Sequence, residues 1–279
     1  MRFVWQFLTV MAVYALGGVA VSAVRDDDWL TLVLGVTVAA AAMPVYAWVV
    51  RRTEHRAAED VARERAVART VRGVLVGGAM FAAVVVNLST AGYYDIHGLG
   101  SVTGALGLLG FMVAVATIEE IVYRGVLFRI VEEHLGTYTA MLLTGLVFGL
   151  SHLLNENATL WGALAIVIEA GFMLAAAYAA TRSLWFTIGV HFGWNFAAAG
   201  VFSTEVSGNG ANEGLLDTST AGPELLTGGS FGPEGSVYAV GFGALLTLVF
   251  LWLAHRRGTI VPFGARRAAR RDAATTLPR

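Results

Sequence analysis

Long apolar runs constrain this chain more than any other feature. A helix crosses the hydrocarbon core of a bilayer with about 20 apolar residues. Eight such runs follow one another, at residues 3–24, 29–50, 73–91, 102–128, 138–155, 158–180, 184–202 and 236–255. Hydrocarbon offers the backbone no hydrogen-bond partners, so runs of this kind form helices, which satisfy their own backbone groups. The expected fold is all-α, a polytopic transmembrane helical bundle of about eight spans. Composition agrees: 56% of the residues are hydrophobic and 14% charged, where a soluble domain carries roughly a quarter charged. The first run ends in Val21-Ser22-Ala23, a triplet of the signal-cleavage type. The run exceeds the apolar stretch of about 7–15 residues in a signal peptide, so it reads as a retained anchor.

Charge placement orients the bundle. The segment 51–72 reads RRTEHRAAEDVARERAVARTVR, and the tail after residue 255 carries Arg256, Arg257, Arg266, Arg267, Arg270 and Arg271. The positive-inside rule assigns both to the cytoplasm. With eight crossings, both termini are then cytoplasmic, in a multi-pass protein of the plasma membrane. The arginine clusters read as topology signals and lipid-headgroup contacts, and the alternation of acid and arginine in 51–72 as a solvated helix. The division that results is 1–100, N-terminal helices; 101–202, a core of spans that carries the intramembrane charges; 203–235, a flexible outer loop rich in Gly, Ser, Thr and Asn; 236–255, the last helix; and 256–279, a basic tail. The chain has no cysteine, which excludes disulfides, thiolate metal sites and a cysteine nucleophile. All its basic residues are arginine, which excludes Ser–Lys and Schiff-base chemistry and suggests a GC-rich bacterial genome. No nucleic-acid module is present. The expected partners are membrane lipids and a membrane-borne substrate.

Polar groups inside spans are expensive and mark function by default. Glu119, Glu120 and Arg124 lie in TIEEIVYRGV, His152 in VFGLSHLL, and His191 with Asn195 in IGVHFGWNF. At about 100° per residue, Glu120 and Arg124 share a helix face, as do Phe148 and His152, and His191 and Asn195, while Glu119 points elsewhere. A lone buried His or Asn often joins helices. Three helices each carrying such a group at compatible depth argue instead for one buried site among spans four, five and seven. Glu169, in IVIEAGFML, is isolated and reads as a supporting residue behind that site. Trp161, Trp185 and Trp194 read as interfacial anchors or packing. A carboxylate can act as general base toward water. Histidines can hold that water, protonate a leaving amine or ligate a metal, and asparagine can donate to an oxyanion. These are the parts of peptide hydrolysis by an activated water, and they suffice equally for a proton relay. The absence of paired half-repeats weighs against an inverted-repeat, proton-coupled transporter.

In this order the three groups resemble the motifs of the CPBP family, the CAAX proteases and bacteriocin-processing (Abi) membrane proteins. EExxxR appears as Glu119, Glu120 and Arg124, FxxxH as Phe148 and His152, and HxxxN as His191 and Asn195, approached through YAATRSLWFTIGVH. The resemblance covers roughly residues 105–200. It implies an α-helical intramembrane endopeptidase with a cavity open to the cytoplasm, acting on a prenylated CAAX protein or, in bacterial members, on other membrane peptides. By carry-over, one of Glu119 and Glu120 activates the water, His152 positions it, Arg124 holds the glutamates, and His191 and Asn195 stabilise the oxyanion. Which glutamate is the base stays open. Members are often described as metalloproteases, and Glu120, His152 and His191 would make an adequate zinc set, although HExxH is absent. A cation beside the site competes with a metal for the carboxylate, so a glutamate mechanism without cofactor is the expectation and zinc its alternative. A family member that serves immunity or scaffolding without cleaving is the other functional reading.

Overall fold

The computed structural model describes residues 1–264. Among them seven helices are long and apolar enough to cross a membrane: α1 Arg2–Ser22, α2 Asp28–Glu54, α3 Ala66–Thr90, α4 Val102–Leu135, α5 Thr137–Leu154, α6 Leu160–Thr181 and, last in the chain, α8 Val237–Arg256. The expected seventh span is also helical. This helix, α7, covers 184–201, with Leu184–Asn195 continuing directly into the wider π-turn Phe196–Val201. His191 and Asn195 dilute its apolar character, and it is mostly buried among its neighbours. The bundle is thus all-α and polytopic. Its only sheet among the described residues is a two-stranded antiparallel ribbon of β1 Tyr94–Leu99 and β2 Leu216–Thr220, bulged between Ile96 and Gly98.

Short polar residues start the helices where the apolar runs begin. Asp27 Oδ1 accepts from the backbone N–H of Trp29 and Leu30 at 3.0 Å each, and Ser101 Oγ from Gly104 at 2.9 Å. Thr159 caps α6 and Ser236 caps α8 in the same way. Each such cap is worth about 1 kcal/mol. Glycine then lets helices approach. A Cβ on Gly35 of α2 would lie 2.0 Å from the Gly110 carbonyl oxygen of α4, and one on Gly77 of α3 would lie 2.0 Å from that of Val190 in α7. Small residues at helix crossings give the close packing that holds helices together in lipid. The α2–α4 and α3–α7 pairs fix where Glu119, Glu120 and His191 sit.

The two ends of the bundle differ. Arg2, Glu54, Arg129, Glu133 and Arg182 cluster at the end that bears the N-terminus. The opposite end bears the β-ribbon and the segment 203–235. Arg266, Arg267, Arg270 and Arg271 of the expected tail lie outside the described residues. Two expectations are corrected here. The segment 51–72 is not one solvated helix. The chain leaves α2 at His55, makes a single turn at Glu59–Val61 and re-enters helix at Ala66. Asp60 turns inward because it finds donors: its Oδ2 receives the hydroxyls of Tyr46 at 2.6 Å and Tyr178 at 3.1 Å, while Glu59 and Glu64 stay exposed. The expectation of a flexible loop at 203–235 is likewise at odds with its packing. Phe231, Thr204, Val206 and Glu234 are buried, and Asn155 Nδ2 donates to the Ser207 carbonyl at 2.7 Å. Glycines at φ +82° and +95°, Gly228 and Gly232, fold it back across the bundle end.

Candidate active site

Glu119 and Glu120 close the regular part of α4, and the chain then widens into a π-segment, Ile121–Phe128. Wider turns of this kind often occur at functional sites. The widened backbone still brings Arg124 Nη1 to Glu120 Oε1 at 2.7 Å, as the spacing predicts. The other guanidinium nitrogen donates to the carbonyls of Ala170 at 3.0 Å and Gly171 at 3.2 Å, in a second π-segment, Val167–Phe172 of α6. Arg124 also stacks over the Phe148 ring, 4.7 Å from its centroid. Both Glu120 and Arg124 are buried, at 0% and 2% exposure. Charge-assisted hydrogen bonds in such surroundings are strong, and this pair ties α4 to α6.

His191 connects the two glutamates. Its Nδ1 donates to Glu120 Oε1 at 3.0 Å, and its Nε2 lies 3.8 Å from Glu119 Oε2. A carboxylate on one imidazole nitrogen fixes the ring and its tautomer and leaves the other nitrogen for chemistry. Phe148 packs edge-on against His191 and beneath His152, so it supports both rings. His152 Nδ1 lies 2.8 Å from the Phe148 carbonyl oxygen. That oxygen only accepts, so Nδ1 carries the proton and Nε2 keeps its lone pair.

These groups line one cavity of about 400 Å³. Glu119, His152, His191 and Asn195 face it, whereas Glu120 and Arg124 are not among its walls. The two glutamates differ in access: the Glu119 side chain keeps 15% exposure and the Glu120 side chain none. Asn195 faces the same space, and among the described residues its amide makes no hydrogen bond. Glu169, expected to sit behind the site, lines the cavity instead. It lies inside the α6 π-segment, where the altered turn directs it inward.

Of the wall residues that were not anticipated, Glu234 and Tyr14 carry ionisable groups from outside α4 to α7. Glu234 comes from the segment 203–235 and is held by Trp194 Nε1 at 2.6 Å and by the Ser207 backbone N–H at 2.6 Å. Its sequence signal is slight, an acid after Pro233 just before the last span. Tyr14 of α1 is the other, a hydroxyl on an otherwise apolar helix. Trp194 is buried and bonded to Glu234, so it is no interfacial anchor.

The cavity runs from Glu119 to Arg25, Asn155, Asn209 and Asn212. Those residues belong to the end that carries the β-ribbon, opposite the basic segment 51–72. A second cavity of about 850 Å³ lies at the basic end, lined by Met43, Arg51, Glu59, Arg63 and Trp185 among others. At that end polar residues of α1, α2 and α4 also bond one another.

The zinc set Glu120, His152 and His191 does not fit an ion. Glu120 Oε1 is already taken by Arg124 and His191. Among the described residues no three His, Asp or Glu side chains are placed to share a metal.

The fold and the site define a class: a polytopic helical membrane protein with a Glu–His–Asn cluster buried within its spans. A family model, the type II CAAX prenyl endopeptidases of the Rce1-like kind, matches residues 101–197. That match spans α4 to α7, the part of the chain that carries the site, and supports a likeness to the CAAX protease family. No curated protein and no solved structure matches it.

Proposed function

We propose that this protein is an intramembrane endopeptidase that hydrolyses a peptide bond of a membrane-embedded or lipidated substrate, with Glu119 as the base that activates water. The observation that carries this reading is the division of labour between adjacent glutamates. Glu119 faces the cavity, and Glu120 behind it is neutralised by Arg124 while orienting His191.

Glu119 takes a proton from a water, and the hydroxide adds to the scissile carbonyl carbon. His152 Nε2 accepts the water's other hydrogen and so aims its lone pair. The Asn195 amide donates to the oxyanion, a contact worth most in a water-poor site. When the tetrahedral adduct collapses, the C–N bond breaks and the amine leaves with the proton held by Glu119. His191 Nε2 is the nearest group with which Glu119 can share that proton. Arg124 reaches no reacting atom and acts through Glu120. The step needs no metal.

The charge rule puts both termini and the 51–72 segment in the cytoplasm of a bacterial plasma membrane. The substrate then reaches the cavity from the other side of that membrane, passing between α1 and α5. A test uses purified protein in proteoliposomes with fluorogenic prenylated and bacterial membrane peptides. Wild type is expected to cleave a member of the panel, and Glu119→Gln to lower kcat/KM by about 10²–10⁴-fold. Undiminished cleavage by Glu119→Gln would overturn the mechanism.

A further inference from the structure

The cavity has a second acidic wall that the hydrolytic step does not use. Glu169 is 2% exposed and faces the cavity, and among the described residues its carboxylate makes no hydrogen bond or ion pair. Helix α8 packs closely on its backbone: a Cβ on Gly243 would lie 2.3 Å from the Glu169 Cα. Glu234, also 2% exposed, faces the same space and interacts electrostatically with Glu169. Its oxygens receive three neutral donors: Trp194 Nε1, the Ser207 N–H and, at 2.9 Å, the Ser207 hydroxyl. These donors fix the carboxylate without cancelling its charge.

Among the described residues no arginine pairs with this wall. Arg25 is the one arginine among the cavity walls, and it lies over the Phe111 ring, 4.9 Å from the centroid, beside Asp26, Asp27 and Asp28. The approach is acidic as well. Segment 203–235 carries Glu205, Glu213, Asp217, Glu224 and Glu234 and no basic residue. Burial and the neighbouring Glu156 push the Glu205 carboxyl above its usual range. Buried carboxylates without a counter-ion are costly, and an acid-lined mouth concentrates cations.

We infer that Glu169 and Glu234 form a specificity subsite for a cationic side chain, lysine or arginine, near the scissile bond of the substrate. A cation can pair with these two carboxyl groups where its neutral isostere cannot, so a charged substrate gains more than that isostere. A free C-terminal carboxylate would be repelled from the same wall. This inference rests on the reading of the cavity as a proteolytic site and narrows its substrate class.

The test uses membrane peptides identical except for lysine or norleucine at each position within three residues of the cleaved bond. In wild type, lysine at one position should raise kcat/KM by about tenfold or more. Glu169→Gln and Glu234→Gln should bring the lysine-to-norleucine ratio toward one. The ratio is read within each variant, so a general loss of folding does not imitate the effect. Binding of the same labelled peptides to full-length Glu119→Gln in nanodiscs, by fluorescence polarisation, gives a readout that needs no turnover. A lysine preference there that Glu169→Gln abolishes supports the subsite, and if wild type cleaves nothing, only the proteolytic reading fails. A ratio of one in both assays, or a lysine preference that survives the double Gln variant, overturns the subsite. So does a site that phosphatidylethanolamine occupies without any preference for lysine peptides, which would assign the wall to a lipid ammonium.

Discussion

At the N-terminal end of the bundle the buried polar groups close on one another. Arg129 donates to Glu54 Oε1 at 2.7 Å and to Gln6 Oε1 at 2.7 Å, and Gln6 returns a hydrogen bond to Glu54 at 2.9 Å. Arg182 pairs with Glu132, which also accepts from Thr137 at 2.6 Å. In the cavity the same residue types are left with open valences: His152 Nε2, the Asn195 amide and the Glu169 carboxylate all face space. Closed networks of this kind hold helices, and open groups confined by packing are poised for a ligand. The boundary between the two regimes falls between neighbours: Glu120 Oε1 is held by Arg124 and His191, while Glu119 faces the cavity.

Arg124→Met is the harshest way to break that comparison. It leaves the Glu120 carboxylate buried without its cation, at a cost of about 3–5 kcal/mol. A large drop in the thermal unfolding midpoint in detergent or nanodiscs is expected, with activity lost as a consequence. Asn195→Ala probes the open side. Cleavage should fall by about 10²–10³-fold while the unfolding midpoint stays near that of wild type. Tyr46→Phe returns to the closed side. Asp60 keeps Tyr178 but loses its 2.6 Å partner, so stability should fall by about 1–3 kcal/mol with the cleavage rate unchanged. Arg56→Ala marks the lower limit. Its contact with Glu54 is solvent-exposed on the arginine side, and a loss of about 0–1 kcal/mol is expected in the same unfolding measurement.

Much of this was legible from the chain. Apolar runs of bilayer length located the helices because lipid leaves few alternatives. The Glu120–Arg124 spacing predicted an ion pair that forms at 2.7 Å. The meeting of spans four, five and seven followed from polar groups that lipid would not tolerate singly. What was illegible depends on tertiary direction. A 100° offset separates Glu119 from Glu120 but does not say which of them meets the cavity. Glu169 was read as support because its π-segment, which turns it inward, leaves no local pattern. Glu234 reaches the wall only because a glycine-rich segment folds back and Trp194 captures it.

The central claim is most directly tested by comparing Glu119→Gln with Glu120→Gln, each measured for peptide cleavage in proteoliposomes and for thermal unfolding. The account predicts that Glu119→Gln is silent but as stable as wild type, and that Glu120→Gln, by leaving Arg124 buried without its anion, is markedly less stable. A stable, inactive Glu120→Gln beside an active Glu119→Gln would contradict it and move the base to the buried glutamate.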